Sequence, residues 1–73
     1  MQNKLHNNLR KIRELRKIKV EQLALNVGVT ANYISLIERG HYAPRLKLAL
    51  KIAKELNITV DEIFGQDFEK GNK

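Results

Sequence analysis

The sequence has no cysteine and no tryptophan, one proline, and only two tyrosines and two phenylalanines in 73 residues. Without cysteine there is no disulfide, no thiolate nucleophile and no Cys-ligated zinc. A chain of this length forms one small domain at most, so its stability has to come from packed helices, completed or not by a partner subunit. No apolar run nears the roughly 20 residues that span a bilayer, and none of signal-peptide type follows the basic N-terminus. A cytoplasmic protein with no membrane partner is expected. His6 and His41 stand far apart, with no carboxylate or thiol spacing around either, so no metal site is expected. No nucleophile, base and orienting group come together and there is no glycine-rich phosphate loop, which argues against an enzyme, a cofactor or a small-molecule ligand. The few aromatics offer no stacking platform for single-stranded RNA.

What the sequence does have is positive charge. Fourteen Lys and Arg stand against eight Asp and Glu, a net charge of +6. Lys4, Arg10, Lys11, Arg13, Arg16, Lys17 and Lys19 are opposed at this end of the chain only by Glu14, whereas Asp61, Glu62, Asp67 and Glu69 make the other end acidic. Such an asymmetry points to an anionic partner on one side of the molecule and a different contact on the other.

Apolar residues recur at helical spacing throughout, and no stretch alternates in the manner of a strand. A first helix is predicted from Asn7 or Asn8 to Lys17, with Leu9 and Ile12 inward. A second covers "IKVEQLALNV", with Val20, Leu23, Ala24 and Val27 on one face. Gly28 supplies the positive φ of a sharp helix stop, and Thr30 is a good N-cap for a third helix with Ile34 and Ile37 inward. Gly40 ends it, and Pro44 lies in a loop just before a fourth helix, "RLKLALKIAKEL". That helix is expected to turn Leu46, Ala49, Leu50, Ala53 and Leu56 to the core and to stop at Asn57. Thr59 and Glu62 then form a capping box for a short fifth helix, "TVDEIF". Residues 1–6 are read as a flexible N-terminal arm, 7–65 as the domain, and 66–73 as a tail.

The stretch "LALNVGVTANYISLIERG" carries the functional signal. Ala24 allows two backbones to approach, Gly28 makes the turn, and Val27, Val29, Ile34 and Ile37 fill the wedge between two steeply crossed helices. The second of these is thereby held proud of the surface with its polar face outward, as a helix must be to enter a major groove about 12 Å wide. The exposed positions of its first turn are Ala31, Asn32 and Tyr33, with Ser35 and Leu36 one turn on.

Several motifs stand at fixed mutual distances: "LRKIREL", Leu23–Ala24, "GVT" at 28–30, "YISLIERG" at 33–40, Pro44, and "LKIAKELNITVDEIF" at 50–64. On these the segment from Asn8 to Phe64 resembles the phage repressor and Cro-like (Xre-type) helix-turn-helix family. The resemblance implies an all-α fold, a compact bundle of five helices of lambda-repressor-like type. It further implies a sequence-specific regulator of transcription, a repressor, that binds double-stranded DNA as a homodimer on an operator with two half-sites. The recognition helix would be 30–39. The rival reading is an antitoxin or adaptor whose DNA binding serves autoregulation; no toxin-wrapping extension stands out in its favour.

Carried over from the family, Ala31, Asn32 and Leu36 would reach base edges, with Tyr33 and Ser35 beside them. Asn can bind adenine N6 and N7 together, while Ala and Leu can pack on the thymine methyl, so half-sites rich in A·T pairs are expected. The alternative for Leu36 is to cover a partner surface or the flank of the core, and for Tyr33 to lie over the core with its hydroxyl at the edge. Phosphate contacts are expected from Thr30, Arg39, His41, Tyr42 and Arg45, and from Lys17 and Lys19 on the other side. Where the family places a capping Ser or Thr followed by a phosphate-binding Gln, this chain has Lys19 and Val20. The resemblance also implies an ion pair between Arg13 and Glu38. Self-association is expected at Val60, Phe64 and Phe68, in the segment that is not basic, unless Phe64 is internal.

Overall fold

The computed structural model describes residues 7–70, and the side chains of residues 7–65. The arm at 1–6, the last three residues and the side chain of Phe68 lie outside the described residues. Five helices follow one another, and no strand occurs among the described residues: α1 (Leu9–Leu15), α2 (Val20–Val27), α3 (Ala31–Glu38), α4 (Leu46–Leu56) and α5 (Val60–Lys70). The fold is the all-α, five-helix bundle expected.

The core takes residues from every helix: Leu9 from α1, Leu23, Ala24 and Val27 from α2, and Ile34 and Ile37 from α3. Ala49, Ile52, Ala53 and Leu56 of α4 and Ile63 and Phe64 of α5 complete it. Each contributing stripe follows the i, i+3, i+4 spacing that brings side chains onto one side of a helix.

The ends of the helices are set by local chemistry. α1 stops earlier than Lys17, because Lys17 itself takes a left-handed backbone with φ of 60°. Its N–H donates to the Glu14 carbonyl at 2.9 Å, and the Ile18 N–H donates to Arg13 at 3.1 Å, so residues 16–19 form a turn and α2 begins only at Val20. Gly28 closes α2 with φ of 83°, and the Gly28 and Val29 N–H groups donate to the Ala24 carbonyl at 2.9 and 3.0 Å. A Cβ at Gly28 would meet nothing within 4 Å, so glycine is there for its backbone angle and not for space. The Thr30 hydroxyl accepts from the Tyr33 N–H at 3.1 Å and caps α3.

Two features differ from expectation. In α4 the buried stripe is Ala49, Ile52, Ala53 and Leu56, while Leu46 and Leu50 are 58% and 53% exposed. The α2–α4 packing turns the helix this way, and the Asn26 amide of α2 donates to Glu55 of α4 at 3.0 Å along the same edge. The fifth helical segment also runs past residue 64. It breaks at Gly65 (φ 61°, ψ −147°) and resumes through Lys70. The capping box at its start is complete, with Thr59 N–H donating to Glu62 at 3.0 Å and Glu62 N–H donating to the Thr59 hydroxyl at 3.1 Å.

Candidate nucleic-acid interface

α3 has an inner side, Ile34 and Ile37, with no measurable exposure. At 3.6 residues per turn the opposite stripe runs through Asn32, Ser35, Leu36 and Arg39. Asn32 and Arg39 are exposed, and Ser35 and Leu36 are half-buried along the two margins. The stripe therefore presents an amide, a hydroxyl, an alkyl group and a guanidinium over about two turns. Arg39 continues this line as the C-cap residue just past the end of α3, so it lies on the same side as Asn32 where the following loop begins.

Tyr33 falls on one flank. It packs partly on the core, and its ring meets that of Tyr42 with centroids 5.9 Å apart and a 36° tilt. The pair holds the loop after α3 against the helix, with Tyr42 left half exposed beside exposed His41 and Arg45. On the other flank Ala31 is half-buried, and Thr30 is exposed with its hydroxyl proton still free to donate, since the bond from Tyr33 uses an oxygen lone pair. Lys17 and Lys19 are exposed at the α1–α2 turn. Lys19 occupies the N-cap position of α2 without a side-chain cap bond.

A part-buried ion pair ties the end of α3 to α1. Arg13 Nε donates to Glu38 Oε2 at 2.6 Å and Arg13 Nη2 to Oε1 at 3.3 Å, with the two side chains 11% and 6% exposed. The third direction of the guanidinium goes to the Ile18 carbonyl at 2.8 Å, so one side chain joins α1, the α1–α2 turn and α3. The hydrogen bond to Glu38 raises the Arg13 pKa above its ordinary value; burial opposes this and the Glu38 charge adds to it.

Beside the pair lies an open cleft of about 320 Å³ lined by Arg10, Arg13, Glu14, Val20, Ser35, Glu38 and Arg39. In sequence Arg10 stands out only as part of the basic run; its spacing of three from Arg13 places the two on neighbouring positions of α1. Arg10 is paired with Glu14 at 3.1 Å, an exposed contact of small energetic worth.

Of the residues expected to meet DNA, the structure brings together Tyr33 with Tyr42, and Ser35 with Arg39 along the cleft beside Val20. Of the expected self-association residues, Val60 and Phe64 are described and the Phe68 side chain lies outside the described residues. Phe64 is 6% exposed and belongs to the chain's own core, because Ile63 and Phe64 close the bundle against α1 and α4; this corrects its placement on a surface. Val60 is half-buried against the same core. Among the described residues no three carboxylates or histidines gather as a metal site, and no helix is long and apolar enough to cross a membrane.

Comparison with known proteins gives concordant results. A helix-turn-helix family model matches residues 9–63. An uncharacterised HTH-type transcriptional regulator of Methanocaldococcus jannaschii is 42% identical over 60 residues, covering 82% of this chain and 91% of that protein. Another, YgzD of Bacillus subtilis, is 40% identical over 57 residues, covering 74% and 86%. Among solved structures, the restriction-modification controller protein C.AhdI from Aeromonas hydrophila matches with a TM-score of 0.70 at 33% identity, over 75% of this chain and 83% of that one. The clp gene regulator ClgR from Corynebacterium glutamicum shares the fold, with a TM-score of 0.73 at 22% identity over 86% and 66%.

Proposed function

Since the chain belongs to the Xre-type family of DNA-binding helix-turn-helix transcription regulators, we propose that it is a repressor that binds a two-half-site operator as a homodimer. The observation that carries this reading is the outer stripe of α3 and its C-cap, with Asn32 and Arg39 exposed and Ser35 and Leu36 partly so, opposite a side formed by the buried Ile34 and Ile37. In a major groove the first turn would lie deepest. Asn32 would grip an adenine through N6 and N7, and Ala31 and Leu36 would meet thymine methyls, with Ser35 between them. Tyr33, braced by Tyr42, would sit against the groove wall.

Arg39, further along the same stripe, would rise toward the phosphates together with Thr30, His41, Tyr42 and Arg45. Lys17 and Lys19 would hold the strand on the far side. Arg10 can join them by leaving Glu14, which supplies positive charge beside Val20, where the family has a glutamine. Each phosphate neutralised adds about −0.9 to the slope of log affinity against log salt. Two copies are proposed because one recognition helix covers few base pairs, and half-sites about 34 Å apart supply the missing specificity.

Selection of bound sequences from a random duplex pool tests the reading. A two-fold site with A·T pairs at the contacted positions is expected. Asn32→Ala should lose about 1–3 kcal/mol on that site and relax one base position. Recovery of no preferred sequence would contradict the proposal.

A further inference from the structure

Two adjacent asparagines precede α1 and point in different directions. The Asn7 carboxamide nitrogen donates to the Ile37 carbonyl at 2.9 Å, across 30 residues of sequence, while its oxygen accepts from the Leu9 N–H at 3.0 Å. The Asn8 N–H donates to the Ile63 carbonyl at 2.8 Å, and the Asn8 carboxamide donates to the Glu62 carbonyl at 3.3 Å. Asn8 thus fastens the start of α1 to α5, and Asn7 fastens the end of α3 to that same point.

We propose that Asn7 is a positioning residue for the recognition helix: through the Ile37 carbonyl it sets the tilt at which α3 meets DNA. The proposal rests on the DNA-reading role given to α3 above. The Ile37 carbonyl also accepts from the Gly40 N–H at 3.0 Å, which stops the helix, so the Asn7 bond is additional to what helix termination needs. Asn7 and Arg13 together grip α3 at Ile37 and Glu38, both in its last turn. The base-reading turn begins six residues earlier, about 9 Å along the axis, where a tilt of about 6° moves a side chain by about 1 Å. A hydrogen bond does not survive many such displacements, whereas contacts with the phosphates, made by long flexible side chains, do. Loosening the clamp therefore costs sequence discrimination more than it costs general affinity.

Asn7→Asp is the variant that separates the bond to Ile37 from the bond to Leu9. Aspartate keeps an oxygen for the Leu9 N–H just before α1, but it has no proton for the Ile37 carbonyl. Asn7→Ser also keeps a side-chain oxygen and lacks the reach, without adding charge. Affinity is measured for the wild type and both variants on the selected duplex and on a scrambled duplex of equal length. The ratio of the two affinities cancels the added negative charge and any loss of folded protein. The ratio should fall roughly tenfold in both variants, with binding to the scrambled duplex changed equally little in Asn7→Ser. NMR of the free protein should show exchange broadening of the Asn32 and Tyr33 amides in both variants, with α4 amides unchanged. An unchanged ratio in variants of a discriminating wild type overturns the positioning role, as does an unbroadened first turn of α3. A wild type that does not discriminate overturns the DNA-reading role itself, and the proposal with it.

Discussion

α3 is held by two neighbours in two different ways. Against α2 the contact is apolar, Leu23, Ala24 and Val27 meeting Ile34 and Ile37 around the Gly28 turn. Against α1 it is polar and directional, Arg13 to Glu38 and Asn7 to Ile37. Apolar packing stabilises in proportion to area and tolerates small rotations. A two-point guanidinium–carboxylate contact tolerates few, and it returns little net stability once both charges have been desolvated. The molecule therefore keeps α3 in place with one neighbour and aims it with the other.

The sharpest way to break this division is to remove one charge. Glu38→Ala takes the carboxylate from the part-buried Arg13 guanidinium, which keeps only the Ile18 carbonyl, and should cost about 1.5–3 kcal/mol in chemical denaturation. The double variant Arg13→Met, Glu38→Leu should recover most of that loss, since an apolar pair of similar volume serves as well. Its discrimination between selected and scrambled duplexes should stay impaired. Full recovery of both properties would show that α2 alone aims the helix.

A smaller effect belongs to the apolar side. Gly28→Ala has room for its Cβ but must hold φ at 83°, so it should lose about 1–2 kcal/mol through backbone strain alone. Its discrimination between duplexes should be kept wherever the protein is folded. Thermal melts and the same pair of duplexes measure both.

The smallest effect lies farthest from α3. The backbone N–H of Thr59, and then its hydroxyl, hold the Glu62 carboxyl below the ordinary value of 4.5. A lowered carboxylate pKa contributes stability that is present above 4.5 and is lost as pH falls below it. Glu62→Gln should therefore flatten the acid limb of a stability–pH curve slightly and leave DNA binding at neutral pH untouched.

The apolar half of this arrangement was legible in the sequence and the polar half only in part. Gly28, Thr30 and the Leu23–Ala24 pair announce α2, its turn and α3, because each acts on its own few residues. α4 was ambiguous: a stripe through Leu46 and Leu50 and one through Ile52 share Ala49, Ala53 and Leu56, and both obey helical spacing. The position of α2 decides between them, and that is tertiary information. The end of α1 was misplaced because Lys17 adopts a left-handed backbone with no glycine to mark it. The Arg13–Glu38 pair follows from the family resemblance, whereas the place of Arg10 beside it depends on the packing of α1 against α3. In sequence Asn7 marks no more than the start of α1, and nothing local betrays a bond to Ile37. The same limit applies to Phe64, whose burial depends on how α5 closes on α1 and α4.

The central claim is that the outer stripe of α3 reads base edges, and a double cycle between Asn32 and its partner base tests it most directly. Replacing each adenine of the selected site in turn by 7-deazaadenine removes the N7 acceptor from the major groove and leaves the pairing intact. The wild type should lose affinity at one position of each half-site, and Asn32→Ala should be indifferent to the replacement there. If both proteins respond alike at every position, Asn32 does not read that edge and the account of α3 fails.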